Sequence, residues 1–160
     1  MIQENLKKAN ILIVDDQQSN IDLLVDLLEI NGFENIKTTT DPTQVMDIIY
    51  SFNPDLILLD LIMPIMSGFD VLAQIKEIDT VGYYIPILVL TAELGDESRQ
   101  MALANGAKDF VVKPFNLVEV SLRINNLLET HFLYKKLNQR NKLLESKLVD
   151  LIKVMDEWYK

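Results

Sequence analysis

Cysteine is absent from the 160 residues, which excludes a disulfide framework, a thiolate zinc site and a cysteine nucleophile. Histidine occurs once, at His131, so a two-histidine metal site is excluded as well. No apolar run approaches the ~18 residues a membrane-spanning helix needs. Basic residues are scarce up to residue 125, 8 against 19 acidic ones, and beyond it the balance reverses to 7 against 5. A body this acidic repels phosphate backbones, which speaks against direct nucleic-acid binding. Proline and glycine number only five each, and neither occurs after Pro114. What remains is ordinary globular composition, 49% apolar and 24% charged, in a chain sized for one domain plus an appendage. The chain reads as a cytoplasmic protein without membrane insertion.

Five short apolar runs recur, at Ile11–Val14, Asn35–Thr39, Asp55–Asp60, Ile85–Leu90 and Lys108–Val112. The third and fourth are apolar on consecutive residues, as strands covered on both faces are. Between the runs, Ile21, Leu24, Leu27 and Leu28 fall at helical spacing, as do Val45, Ile48 and Ile49, then Val71, Leu72 and Ile75. Turn signals at Asn31-Gly32, Asp41-Pro42, Asn53-Pro54 and Asn105-Gly106 separate the units. Strands alternating with helices predict an α/β fold, a five-stranded parallel sheet with helices on both faces. Right-handed crossovers leave the flavodoxin-like order 2-1-3-4-5 as the natural one.

In such a sheet functional groups gather beyond the carboxyl ends of the strands. Those ends carry Asp15 and Asp16, Asp60, Thr91 and Lys113. Singly, most have bland readings: a helix cap for the aspartates or the threonine, a solvated amine for the lysine. Asp60 does not, because it ends an apolar strand and is followed by Leu-Ile-Met-Pro. Two carboxylates ~4 Å apart repel by about 4 kcal/mol at an effective dielectric of 20. Lys113 supplies too little positive charge for three acids, so a divalent cation is implied. An all-oxygen donor set favours magnesium, with manganese as a substitute. A carboxylate beside a hard cation, a lysine and a hydroxyl suits acceptance of a phosphoryl group.

The runs Ile-Leu-Ile-Val-Asp15-Asp16, Leu-Ile-Leu-Leu-Asp60-Leu-Ile-Met-Pro64-Ile-Met-Ser-Gly68, Leu-Thr91-Ala92 and Lys113-Pro114-Phe115 together resemble the receiver domain of two-component response regulators, over about residues 9–127. The resemblance implies that Asp60 accepts a phosphoryl group from a histidine kinase or phosphotransfer protein. It implies that Asp16, Asp60 and the backbone carbonyl of Ile62 hold magnesium, with Asp15 acting mainly through a bound water. Lys113, joined to Pro114 by a cis bond, would contact a phosphoryl oxygen. Thr91 would bind the phosphoryl group, assisted by the Ala92 amide, and Phe110 occupies the place of the switch aromatic. Ile62 and Glu93 would flank the path of attacking water. The resemblance makes the chain regulatory, with only intrinsic autophosphorylation and autodephosphorylation. Two other readings exist. A degenerate receiver would serve as a protein-binding module alone, and a magnesium-dependent aspartyl-phosphate phosphatase would need an acid where Ile62 stands.

From Leu117 the helical pattern continues to the last residue. Its first two or three turns are expected to cover the sheet and the rest to protrude. The receiver is placed at 1–127 and a helical linker or dimerisation segment at 128–160, leading toward an effector. Such extensions resemble linkers to cyclic di-GMP synthases, HD-type hydrolases or phosphatases. Read in sevens, residues 127–158 put Leu127, Tyr134, Asn141, Leu148 and Met155 at position a. Thr130, Leu137, Leu144, Leu151 and Trp158 then fall at d. This predicts a parallel two-stranded coiled coil with a seam through Leu137, Asn141, Leu144, Leu148 and Leu151.

Overall fold

The computed structural model describes residues 2–79, 84–92 and 95–160. A short helix α1 (Ile2–Lys7) precedes strand β1 (Asn10–Val14). The chain then alternates through α2 (Gln18–Ile30), β2 (Asn35–Thr39), α3 (Val45–Phe52), β3 (Leu56–Leu59), α4 (Gly68–Asp79), β4 (Ile87–Thr91), α5 (Asp96–Ala104) and β5 (Asp109–Val112). It closes with α6 (Leu117–Trp158). The five strands form one parallel sheet in the order β2-β1-β3-β4-β5. This is the predicted topology.

The consecutive apolar residues of the central strands feed two separate cores, because successive side chains point to opposite faces. Ile11, Ile13, Leu56, Leu58, Leu88 and Leu90 meet Ile21, Leu24 and Leu28 of α2 and Val120, Ile124 and Leu128 of α6. Leu12, Val14, Ile57, Leu59, Ile87 and Val89 meet Val45 and Ile49 of α3, Val71, Leu72 and Ile75 of α4, and Ala102 of α5. Each such aliphatic side chain contributes about 1.5–3 kcal/mol when fully buried. The sheet is therefore held on both sides, and its carboxyl edge is a rigid platform.

Helix boundaries follow local chemistry. At the end of α2, Gly32 takes φ +85° while its amide donates to the Glu29 carbonyl, a left-handed stop that glycine adopts without a Cβ penalty. Asn53 ends α3 in the same region. Asn116 caps α6, its side-chain oxygen accepting from the amides of Val118 and Glu119.

Helix α6 runs 42 residues, about 63 Å at 1.5 Å per residue. Its packed part is longer than the two or three turns expected. Val120, Ile124, Leu128 and His131 are all buried, and the Lys135 ammonium still reaches the body at Asp55. The extra turns have partners because α6 passes below the sheet's amino edge, where α1 with its buried Leu6 lies against it. From residue 139 onward every side chain is exposed.

The anchor at that edge is an ion-pair cluster on Asp55, the residue before β3. Its carboxylate accepts the Asn10 amide at 3.0 Å, the His131 Nε2–H at 3.1 Å and the Lys135 ammonium at 3.1 Å. Asp55 and His131 are only 8% and 4% exposed. Burial alone would raise the Asp55 carboxyl. The hydrogen bonds from His131, Asn10 and Lys135, with the charge of Lys135, outweigh it and hold the group below its ordinary value.

Candidate functional site at the carboxyl edge of the sheet

The strand ladder delivers the site residues to one edge. Val14 pairs with Leu59, Leu59 with Val89 and Thr91 with Val112, so the residues that follow these strands emerge side by side. Backbone bonds extend the ladder into the site: the Asp60 amide donates to the Val14 carbonyl at 2.9 Å and the Lys113 amide to the Thr91 carbonyl at 2.8 Å. Asp15, Asp16 and Asp60 each offer a carboxylate oxygen within 4.8 Å of the others. The Lys113 ammonium lies between two of them, 2.9 Å from Asp15 and 3.3 Å from Asp60. The Lys113–Pro114 bond is cis.

The three acids differ in what already holds them. The Asp15 carboxylate is 2% exposed and accepts from the Gln17 amide, the Asn20 side-chain amide and Lys113. Asp60 accepts from the Ile62 amide at 3.2 Å and from Lys113. Asp16 is half-buried and has no hydrogen bond or ion pair among the described residues. Burial pushes the Asp60 carboxyl above its ordinary value, and the Asp15 charge adds to this while Lys113 offsets part of it. The site thus has an excess of negative charge, and its donors are all hard oxygens, which fits a small divalent cation. Asp16 and Asp60 have the most coordinating capacity to spare, while Asp15 is already held by three donors.

Thr91 is fully buried, and its hydroxyl has no partner among the described residues. A buried unpaired hydroxyl costs about 1–3 kcal/mol, so it stands ready for an acceptor oxygen entering the site. Ala92 follows it on the exposed strand end. Phe110 is half-buried against the α3–α4–α5 core, with the Arg99 guanidinium 4.9 Å from its ring centre. Ile62 is 60% exposed at the site's mouth. Glu93, expected at the same mouth, lies outside the described residues.

Gly68 opens α4 against the loop that follows β3, its amide donating to the Leu61 carbonyl at 2.9 Å. A Cβ there would come within 2.4 Å of the Asp60 carbonyl oxygen and 2.6 Å of the Leu61 Cα. Only glycine permits this approach.

The family model for the response regulator receiver domain matches residues 11–125. The chain belongs to the response regulator receiver family. It is 34% identical over 131 residues to the transcriptional regulatory protein YvrH of Bacillus subtilis, spanning 82% of this chain and 54% of that one. It is 37% identical over 120 residues to the response regulator SaeR of Staphylococcus aureus, spanning 75% of this chain and 50% of that one. The chain thus spans about half the length of the curated relatives it matches. Among solved structures, the chemotaxis protein CheY4 of Vibrio cholerae is similar at 28% identity and a TM-score of 0.69, over 75% of this chain and 98% of that one. A two-component response regulator from Clostridium difficile gives 28% and 0.69, over 76% and 96%. Receiver domains are regulatory, and this receiver has the acidic pocket at which they bind magnesium. No helix among the described residues is long and apolar enough to cross a membrane.

Proposed function

We propose that this receiver is a cytoplasmic phosphorylation switch in which Asp60 takes a phosphoryl group from the phosphohistidine of a sensor kinase or phosphotransfer protein. A carboxylate oxygen of Asp60 attacks phosphorus in line. The new P–O bond forms as the P–N bond breaks, and the imidazole leaves with the electron pair. Lys113, already bridging Asp15 and Asp60, neutralises a transferred oxygen, and the Thr91 hydroxyl with the Ala92 amide donates to another. Phe110 follows Thr91 as the switch aromatic. Magnesium, or manganese in its place, would be held by Asp16, Asp60 and the Ile62 carbonyl and would neutralise charge on the phosphoryl oxygens. The observation that carries this reading is the convergence of three carboxylates, a bridging lysine and a buried unpartnered hydroxyl on one sheet edge.

Output then runs through residues 128–160, a linker to an effector that pairs with a second copy as a parallel coiled coil. Its support is exposure: Leu137, Leu144, Leu148 and Leu151 are each more than half exposed, an apolar seam interrupted at Asn141 that a second copy would bury. The test is intact mass after incubation with acetyl phosphate, with and without magnesium. A single phosphoryl adduct that needs magnesium and disappears in Asp60→Asn supports the switch. An adduct that persists in Asp60→Asn refutes the acceptor assignment, and no adduct at all in the native chain favours a binding module.

A further inference from the structure

We infer that Asn20 is a positioning residue for the metal pocket: it holds the Asp15 carboxylate in place so that Lys113 is free to leave it. This rests on the magnesium reading above. Asp15 takes three kinds of donor. One is the Gln17 amide, at 2.9 Å and fixed by the backbone. Another is Lys113, at 2.9 Å, which also touches Asp60 at 3.3 Å. The last is Asn20 Nδ2, straddling both carboxylate oxygens at 3.3 and 3.2 Å. Asn20 is itself fixed, because it sits in the first turn of α2 and the same amide nitrogen also donates to Gln17 Oε1 at 3.2 Å.

The three donors are not equivalent. Lys113 is the long, mobile one, and a phosphoryl group on Asp60 draws it by charge. Once it moves, a buried Asp15 would keep a single hydrogen bond without Asn20, and an under-satisfied buried carboxylate is costly. A neutral amide suits the task better than a second cation would, since it orients the carboxylate without cancelling the charge that attracts a metal. In an Asn20→Ala chain Asp15 depends on Lys113, so the lysine is retained on Asp15 and the acid pocket loses its fixed geometry.

The test is isothermal titration of the full chain with magnesium chloride, comparing wild type with Asn20→Ala, Asn20→Leu and Asn20→Gln. Outer groups that orient metal ligands are typically worth about 10–100-fold in affinity. Here Asn20 is one of two fixed donors, so Ala is expected to weaken magnesium binding about 10-fold. Leu fills the volume of Asn without a donor and should lose as much, whereas Gln retains the amide and should recover at least part of the loss. A role in packing alone predicts the opposite order, with Leu close to wild type. Leu or Ala binding magnesium within twofold of wild type overturns the inference while leaving the magnesium reading intact. A wild-type chain that gives no magnesium isotherm overturns both.

Discussion

Replacing Asp55 with alanine should be among the most destabilising single changes in this receiver, although it lies at the end of the sheet opposite Asp60. The loss can be worked from its partners. The His131 Nε2–H is buried and would have no acceptor, and the Asn10 amide would lose its bond as well. Each buried donor left unpaired costs about 1–3 kcal/mol. Lys135 is half exposed and regains water, so its share is about 0.5 kcal/mol or less. The total is about 3 kcal/mol, near the lower end for removing one partner from a buried pair. Urea denaturation followed by circular dichroism measures it, and Lys135→Ala should cost under about 1 kcal/mol in the same assay. The pH dependence gives an independent check. The Asp55 carboxyl is held below its ordinary value, so the unfolded chain binds the proton first as pH falls. Its contribution is complete above the unfolded value, near 4, and is lost as pH drops through the lower folded value. The Asp55 contribution to the difference between wild type and Asp55→Ala should therefore shrink as pH falls below about 4. A loss under about 1 kcal/mol at neutral pH, or a difference that grows as pH falls below about 4, would refute the reasoning.

Gly68→Ala forces a methyl group into the backbone of residues 60 and 61; it should cost about 3 kcal/mol or more and slow adduct formation at Asp60 in the acetyl phosphate assay, and a variant with native stability and rate would contradict the contact. Ile62→Asn replaces an exposed apolar side chain at the site's mouth with one that can orient water, so the phosphorylated form should decay faster; equal or slower decay, followed by intact mass over time, counts against a shielding role. Asn141→Leu removes the one strongly polar a position of the seam and should make the assembly more stable but less uniform in oligomeric state; light scattering that finds wild type and variant both monomeric at tens of micromolar would end the coiled-coil reading.

The sheet was legible because doubly covered strands leave an unmistakable trace, consecutive apolar residues bounded by turn signals. The site was legible for a related reason: strand ends that share a register must share an edge, so Asp15, Asp60 and Lys113 converge without any contact being known in advance. Thr91 proved to be the last residue of β4 rather than the first after it, a one-residue difference that explains its burial. Three features left no comparable trace. Helix α1 has six residues, too short for a periodic pattern, and is tied down by buried Leu6 and by Lys7, whose ammonium donates to the Asn31 carbonyl and lies over the Phe33 ring. The Asp55–His131 pair joins positions 76 apart, and a lone histidine among helical residues carries no sign of its partner. Asn20 reads in sequence as an ordinary polar residue of a helix's first turn, and only the position of Asp15 beneath it gives it a task.

The grip at Asp55 and the exposed seam occupy different sides of the same helix. At about 100° per residue, the gripped positions 120, 124, 128, 131 and 135 centre about 140° away from positions 137, 141, 144, 148 and 151. The drift of about 20° per heptad between an ideal helix and a seven-residue repeat turns the seam slowly away from the gripped face, and from residue 139 the helix has run past the body and is exposed all round. Leu127 and Tyr134, both at a, have rotated toward the body, where Leu127 packs on the core and Tyr134 meets the Tyr84 ring edge to face at 5.4 Å. Two turns later the helix has left the body behind. The body therefore does not compete for the seam residues beyond Leu137, yet it sets the angle at which they are presented. Asp55 is joined to Asp60 by the four residues of β3, all of them 1% exposed or less, a span of about 17 Å at 3.3–3.4 Å per residue. Close-packed interiors pass displacement on rather than absorb it, so β3 links Asp60 to Asp55, whose hydrogen bonds with His131 and Lys135 hold α6.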